Sequence, residues 1–133
     1  MEKIIKLKKL FNQYNLDGYI VPKNDEFFSE YISDYKDKLK FISNFSGSYG
    51  FALILKNKNY LFVDGRYTLQ AKMQSGKFYE IITIPKKFPS DVLKNKKLKI
   101  GFDPKLHTNK TLKIFFNKTN CKFVPIEKNL INK

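Results

Sequence analysis

The stretch from residue 41 to residue 71, FISNFSGSYGFALILKNKNYLFVDGRYTLQA, most constrains how this chain can fold. Gly47 and Gly50 predict a turn in which the backbone adopts a positive φ or passes close to a neighbour. Phe51–Leu55 is an unbroken apolar run, and a polar reversal separates it from a second, aromatic and β-branched run over residues 60–63. Two such runs with a short connection predict a β-hairpin that begins after the glycine turn.

The flanking segments alternate between helix and strand. Apolar residues spaced by three and four predict an amphipathic helix over residues 2–14, with Ile4, Leu7, Leu10, Phe11 and Tyr14 on its apolar side. Further strands are expected over residues 18–21, 78–84, 98–102 and 121–125, and further helical segments over 34–42, 66–73, 89–94 and 109–118. This order predicts an α/β fold, with a six-stranded mixed sheet and flanking helices.

Length and composition favour a single domain over residues 1–133. The chain has 133 residues, which is close to the commonest domain size, and 42% of them are hydrophobic. No apolar run approaches the roughly 20 residues of a membrane span, and the first residues lack the pattern of a secretion signal. Cys121 is the single cysteine, which excludes an internal disulfide and favours a reducing compartment. We therefore expect a cytoplasmic protein that does not bind a membrane.

The net charge of +14 suggests an anionic partner, but the residue types argue against specific nucleic-acid recognition. Of the 26 basic residues only Arg66 is an arginine, and the lysines are scattered along the chain. Specific recognition of bases and phosphates relies on the forked guanidinium group, which this chain almost entirely lacks. A diffuse affinity for polyanions at low salt is expected instead.

The sequence offers little material for a metal or nucleophilic site. His107 is the single histidine and lies beside a predicted helix start, where a capping or surface role is expected. No base is placed beside Cys121, so a buried apolar thiol is expected there rather than a nucleophile. No metal site is therefore predicted in this chain.

Two groups of carboxylates invite a functional hypothesis. In one interpretation Asp64 accepts backbone N–H bonds at the turn and pairs with Arg66, which holds the corner formed with Gly65. In the other, Arg66 binds a carboxylate of a substrate or partner. The second group is Asp25, Glu26 and Glu30, interleaved with aromatic residues in the segment KNDEFFSEYIS. Its aromatic side chains either pack into the core or form, with the carboxylates, a rim that contacts a cationic peptide terminus.

The order of five segments, IVPKNDEFFSEYI, FISNFSGSYGFALIL, LFVDGRYTLQA, KIGFDPKLHT and FVPIEKNLI, resembles the N-terminal domain of the aminopeptidase P branch of the creatinase/prolidase superfamily. The resemblance covers residues 4–131. It implies a ribonuclease H-like α/β domain that does not itself cut the peptide bond. It also implies a separate C-terminal "pita-bread" domain, acting in cis or in trans, which binds two divalent metals, commonly manganese, and releases a residue that precedes proline. Those ligands are absent from the 133 residues, so the chain alone is predicted to be inactive and to hold no cofactor.

The resemblance assigns a non-catalytic role in assembly and in substrate gating. It implies a homo-oligomeric full enzyme that binds peptide only when assembled. Asp25, Glu30, Tyr31 and Arg66 are the gating candidates, and Asp64, Gly65 and Arg66 form the structural corner. The chain departs from the family pattern at three positions, where Phe27, Phe41 and Asn44 replace the common histidine, tryptophan and glycine.

Three alternatives remain open at this point. One is a degenerate remnant without function, which a chain that is neither stable nor expressed would support. The chain could be the corresponding domain of a prolidase-type dipeptidase, although the segments SEY, GSYG and DGRYTLQA favour the aminopeptidase. It could also be a free-standing basic module that binds anionic partners, a hypothesis that saturable and steeply salt-dependent polyanion binding would support.

Overall fold

The computed structural model describes residues 2–23, 37–47, 49–84, 86–94, 96–106, 121–126 and 130–131. The predicted helix over 109–118 and the gating candidates Asp25, Glu30 and Tyr31 lie outside these residues. The elements in chain order are α1 (Glu2–Tyr14), β1 (Gly18–Pro22), α2 (Lys38–Ser43), β2 (Phe51–Leu55), β3 (Asn59–Asp64), a 3-10 turn (Gly65–Tyr67), α3 (Thr68–Ser75), β4 (Glu80–Ile84), α4 (Pro89–Val92), β5 (Lys99–Phe102) and β6 (Lys122–Pro125).

The described strands form one six-stranded mixed sheet in the order β4-β3-β2-β1-β5-β6. β1, β2 and β3 pair antiparallel, whereas β3 with β4, β1 with β5, and β5 with β6 pair parallel. In the register, Pro22, Phe51 and Phe62 lie side by side across β1, β2 and β3. The predicted α/β fold with a six-stranded mixed sheet is therefore confirmed.

Helices cover both faces of the sheet, which explains why the central strands β1 and β2 are buried along their whole length. Alternate residues of β1 pack into two hydrophobic cores, one on each face of the sheet, because successive side chains of a strand point to opposite faces. Tyr19 packs with Phe11 of α1 and Phe45 on one face. Ile20 packs with Leu93, which follows α4, on the other.

The glycine turn before β2 is shaped by close packing rather than by positive φ. None of the described glycines has a positive φ. A Cβ atom on Gly50 would lie 3.0 Å from the Phe45 ring and 3.1 Å from the carbonyl oxygen of Phe62. The positive φ occurs instead at Asn44, which caps the C-terminus of α2 with φ of 67°. This is a position where glycine is common and asparagine is tolerated, so the departure from the family pattern at Asn44 preserves the local backbone.

The helix predicted to begin at Arg66 begins at Thr68, after the 3-10 turn. Its apolar residues Leu69 and Met73 do not face the core: their exposed fractions are 72% and 80%. Ala71 and Ser75 are buried in their place, and the Ser75 hydroxyl donates a 2.7 Å hydrogen bond to the carbonyl oxygen of Ser43. A polar residue thus occupies the inner face of α3 because α2 offers it an acceptor.

Several other boundaries differ from the sequence predictions, and two of these differences have a local structural cause. β4 begins at Glu80 instead of residue 78, since the chain turns over residues 76–78 after α3. α2 runs from Lys38 to Ser43 because the Asp37 side chain caps its start, accepting a hydrogen bond from the Lys40 amide at 3.0 Å.

Candidate functional site at the Asp64–Arg66 corner

The corner lies where β3 ends and the chain turns into α3. The Asp64 side chain accepts a 2.9 Å hydrogen bond from the Arg66 amide, which fixes the turn. The Arg66 guanidinium returns to the same carboxylate, with Nη2 2.8 Å from Oδ2 and Nε 3.3 Å from each oxygen. Asp64 therefore binds both the backbone and the side chain of one residue.

The two members of this pair differ in exposure. The Arg66 side chain is 75% exposed and the Asp64 side chain 28% exposed. The guanidinium hydrogen bonds are the largest cause of the lowered pKa of Asp64. Burial opposes them, and the amide bond and the nearby positive charge each add a lesser lowering effect. Reciprocally, the hydrogen bonds to Asp64 raise the pKa of Arg66. The corner is thus charged on both sides throughout the neutral range, and a face of the guanidinium remains open to solvent.

Aromatic residues that the sequence did not single out surround the corner. The Arg66 guanidinium carbon lies 5.2 Å from the centroid of the Tyr67 ring, and that ring meets Phe45 edge to face at 6.1 Å. Tyr49 is 39% exposed, and burial together with the charge of Asp64 raises its pKa. Aromatic spacing in the sequence carries no signal of these contacts. Tyr49 precedes β2 and Tyr67 follows β3, and only the antiparallel pairing of the two strands brings them to the same end of the hairpin.

The α3 side of the corner is tied to the sheet. The hydroxyl groups of Thr68 and Thr83 lie 2.9 Å apart, joining the first residue of α3 to β4. Gln70 and Gln74 both donate to the Ser46 hydroxyl, at 3.1 and 2.9 Å, which ties α3 to the glycine turn as well. These hydrogen bonds fix α3, which follows Arg66 directly, to β4 and to the glycine turn.

The segment that carries the other candidates departs from the same end of the sheet. β1 ends at Pro22, beside β2, and the Lys23 amide donates a 3.2 Å bond to the carbonyl oxygen of Gly50. The Lys23 ammonium forms a partly buried ion pair with Asp37, so residues 23 and 37 meet. Asp25, Glu30 and Tyr31 lie between them in the sequence and outside the described residues. Neighbouring strands are about 4.8 Å apart, which places the end of β1 about 10 Å from the line of β3.

The corner presents a charged and solvent-exposed guanidinium on a fixed turn. Among the described residues, no three histidine, cysteine or acidic side chains come together in a way that could hold a metal ion. The described residues thus offer no cluster that matches the metal site which the resemblance assigns to a separate domain. Cys121, predicted to be buried, is partly exposed, and its sulfur lies 3.5 Å from the carbonyl oxygen of Lys96. No helix in the described ranges is both long and apolar enough to cross a membrane.

A family model described as the creatinase/prolidase N-terminal domain matches residues 3–133, almost the entire chain. The chain belongs to this family. The creatinase/prolidase assignment agrees with the sheet order and with the segments that first suggested the resemblance.

Curated relatives place the chain nearer to one branch of the creatinase/prolidase family. It is 41% identical over 81 residues to a probable Xaa-Pro aminopeptidase P of Laccaria bicolor, a match that covers 61% of this chain and 13% of the relative. A protein of the same name from Arthroderma otae is 33% identical over 145 residues, covering 98% of this chain and 22% of the relative. The resemblance to the N-terminal domain of aminopeptidase P is thus confirmed, and the chain spans about a fifth of the length of such relatives.

Solved structures agree with this family assignment. The X-prolyl aminopeptidase of Caenorhabditis elegans, described as a cytosolic enzyme with a di-nuclear active site, matches with a TM-score of 0.84 and 29% identity. That match covers 98% of this chain and 24% of the enzyme. The N-terminal domain of the cytoplasmic peptidase PepQ from Mycobacterium tuberculosis matches at 22% identity with a TM-score of 0.71, over 94% of this chain and 92% of that domain, and shows the shared fold.

Proposed function

We propose that this chain acts as the non-catalytic N-terminal domain of a cytoplasmic Xaa-Pro aminopeptidase, contributing to assembly and to the control of substrate access. The parent activity is the metal-dependent release of an N-terminal residue that precedes proline. The observation that carries the proposal is the match of 98% of this chain to only 24% of the C. elegans enzyme. A domain of this kind works with a catalytic domain that supplies the remainder of the enzyme.

The chemistry of the described residues supports a non-catalytic role. Their carboxylates are dispersed into separate structural contacts: Asp64 binds Arg66, Asp37 binds Lys23, and Asp17 lies 3.5 Å from the Lys56 ammonium. Two metals held by a separate catalytic domain, with manganese as the expected ion, would activate water there. The residues of this chain would position the peptide and limit its approach.

Arg66 is the best-placed described residue for contact with a peptide or a neighbouring domain. Its side chain projects from a rigid corner, keeps its charge and remains 75% exposed. Guanidinium groups bind carboxylates with two parallel hydrogen bonds, so Arg66 is suited to a carboxylate of the substrate or of another subunit. Asp25, Glu30 and Tyr31 complete the proposed gating set, and a homo-oligomer is the proposed assembly.

A domain replacement tests this function. The chain would replace the matched segment of the Arthroderma otae protein, with which it shares 33% identity. The Mn²⁺-dependent hydrolysis of a proline-containing tripeptide is measured for this chimera and for a protein that lacks the segment. We expect the chimera to regain activity and the 133-residue chain alone to have none.

Two controls test whether the restored activity is specific to this chain and to the aminopeptidase reaction. The PepQ N-terminal domain, which shares the fold at 22% identity, placed in the same position should restore much less activity than this chain. Hydrolysis of a Xaa-Pro dipeptide distinguishes the prolidase alternative from the proposed function, because a prolidase-type domain would favour the dipeptide over the tripeptide. A folded chimera no more active than the protein lacking the segment would overturn the proposal.

A further inference from the structure

A groove beside α1 forms a second candidate binding surface, separate from the Asp64–Arg66 corner. It encloses about 750 Å³ between α1, residues 41–42 of α2 and the pair Leu130 and Ile131. Leu130 and Ile131 are buried, and the Leu130 amide donates a 3.4 Å bond to the Tyr19 hydroxyl in the core. The floor of the groove is therefore a fixed part of the fold.

The apolar part of the groove reaches the surface. Ile5 lines it and is 45% exposed, although it lies on a helix whose residues Ile4 and Leu7 are buried in the core. Phe41 lines the opposite wall and is half-buried. Ile5 and Phe41 thus give the groove an apolar lining that is open to solvent, and the apolar face of an amphipathic helix packs into grooves of this kind.

The rim of the groove is positively charged. Lys3, Lys6 and Lys9 line it at intervals of three residues, and Glu2 is the acidic residue beside them. Lys3 donates a 3.0 Å hydrogen bond to the carbonyl oxygen of Phe41 and lies 4.3 Å from the centroid of its ring. Lys6 and Lys9 are exposed and make no ion pair or hydrogen bond with the described part of the chain.

The spacing of these lysines indicates the form of the partner. Three residues of helix rise about 4.5 Å, and carboxylates three or four positions apart on a second helix are separated by a similar distance. A helix that places its apolar side chains against Ile5 and Phe41 can therefore bring carboxylates to Lys6 and Lys9. A second copy of this chain is a poor occupant, because its own α1 presents the same lysines.

We propose that this groove binds an acidic amphipathic α-helix of a partner polypeptide. The apolar face of that helix packs on Ile5 and Phe41, and its carboxylates pair with Lys6 and Lys9. The inference is independent of the function proposed for the Asp64–Arg66 corner.

The test uses the complete 133-residue chain and a fluorescent peptide of about 14 residues, with leucines on one helical face and glutamates flanking them. Anisotropy should show saturable binding, and the NMR shifts that change should lie in α1 and residues 41–42. Lys6→Glu with Lys9→Glu, and separately Ile5→Ser, should each weaken binding by roughly tenfold or more. Their matched controls, Lys86→Glu with Lys87→Glu and the exposed Leu69→Ser, should change it less than about twofold.

Four results would overturn the proposal. They are no binding of the peptide by the unaltered chain, equal weakening by both lysine pairs, equal binding of an all-glutamate peptide without leucines, and groove-dependent self-association in sedimentation. The third would indicate a general polyanion surface, and the last an interface between copies of this chain. None of the four changes the outcome of the domain replacement.

Discussion

Lys23 and the buried Asp37 form a partly buried ion pair although 14 positions separate them in the sequence. Lys23 follows β1 and Asp37 caps the first turn of α2. The pair therefore joins the end of a central strand to the start of a helix on one face of the sheet. It also brings together the two ends of the segment that carries Asp25, Glu30 and Tyr31.

We expect Lys23→Met to lower the free energy of unfolding by about 3 kcal/mol, because it leaves a buried carboxylate without its cation. The measurement is urea unfolding followed by circular dichroism. Lys56→Met is the matched control: its partner Asp17 and Lys56 itself are both more exposed, so the loss should stay below about 1 kcal/mol. Equal losses of unfolding free energy in the two variants would contradict the expectation that burial makes the Lys23–Asp37 pair contribute more to stability.

Replacing Arg66 by glutamine should raise the pKa of the Asp64 carboxyl towards its ordinary value. The hydrogen bonds from the guanidinium are the largest cause of the lowered pKa, and the variant removes them. Carbon-detected NMR of the Asp64 carboxyl over a pH titration gives the midpoint directly. Lys58→Gln, which removes an exposed pair with Glu80, should leave that midpoint unchanged.

The same pair makes stability depend on pH in a definite direction. Because the folded pKa of Asp64 lies below the unfolded one, its stabilisation is complete above the ordinary carboxyl range and is lost as the pH falls through the folded pKa. Arg66→Gln should therefore be less stable than the unaltered chain at pH 7, and the difference should shrink below about pH 4. A difference that grew in acid would contradict this linkage.

Tyr79→Phe should destabilise the protein by about 1 to 3 kcal/mol. The buried Tyr79 hydroxyl donates a 2.9 Å hydrogen bond to the carbonyl oxygen of Ile42, and the variant leaves that acceptor without this donor. Burial also raises the pKa of Tyr79, so the hydroxyl stays protonated and donates at neutral pH. In Tyr60→Phe, which removes a hydroxyl without a hydrogen bond to any described residue, thermal unfolding should show a smaller change.

Asn44→Gly and Asn44→Ala should move stability in opposite directions. Asn44 has φ of 67°, a conformation that is easy for glycine and costly for alanine. We expect the glycine variant to be more stable than the alanine variant by about 1 kcal/mol in chemical unfolding. Similar stabilities would indicate that the left-handed cap of α2 is not retained in solution.

The strands and the hairpin could be predicted from the sequence because they depend on local features. Phe51–Leu55 is apolar throughout and lies in a strand buried on both faces, so the run alone identifies it. The inner face of α3 could not be predicted in this way. Apolar spacing favours Leu69 and Met73, whereas the fold buries Ser75 because the Ser43 carbonyl, which is distant in sequence, accepts its hydrogen bond.

The candidate site shows the same limit. Asp64 and Arg66 are two positions apart, so their proximity follows from the turn. The ion pair of Lys23 with Asp37 and the approach of Tyr49 to Asp64 depend on how β1, the glycine turn and α2 meet, which local patterns do not contain. Aspartate is a common helix-capping residue, but that local preference of Asp37 does not reveal its ion pair with Lys23.

The position of β1 between β2 and β5 has a consequence for synthesis on the ribosome. β1 can pair with β2 early in synthesis, but its other edge stays unpaired until β5 has been made. The contact between Asp17 and Lys99, which accompanies that pairing, spans 82 positions. Until then the nascent chain exposes the unpaired edge of a wholly apolar strand, the kind of edge that invites pairing with another chain. Closing so long a loop slows the pairing of β1 with β5. The time between the emergence of residues 22 and 102 is therefore the interval in which this chain is most exposed to aggregation and to capture by chaperones.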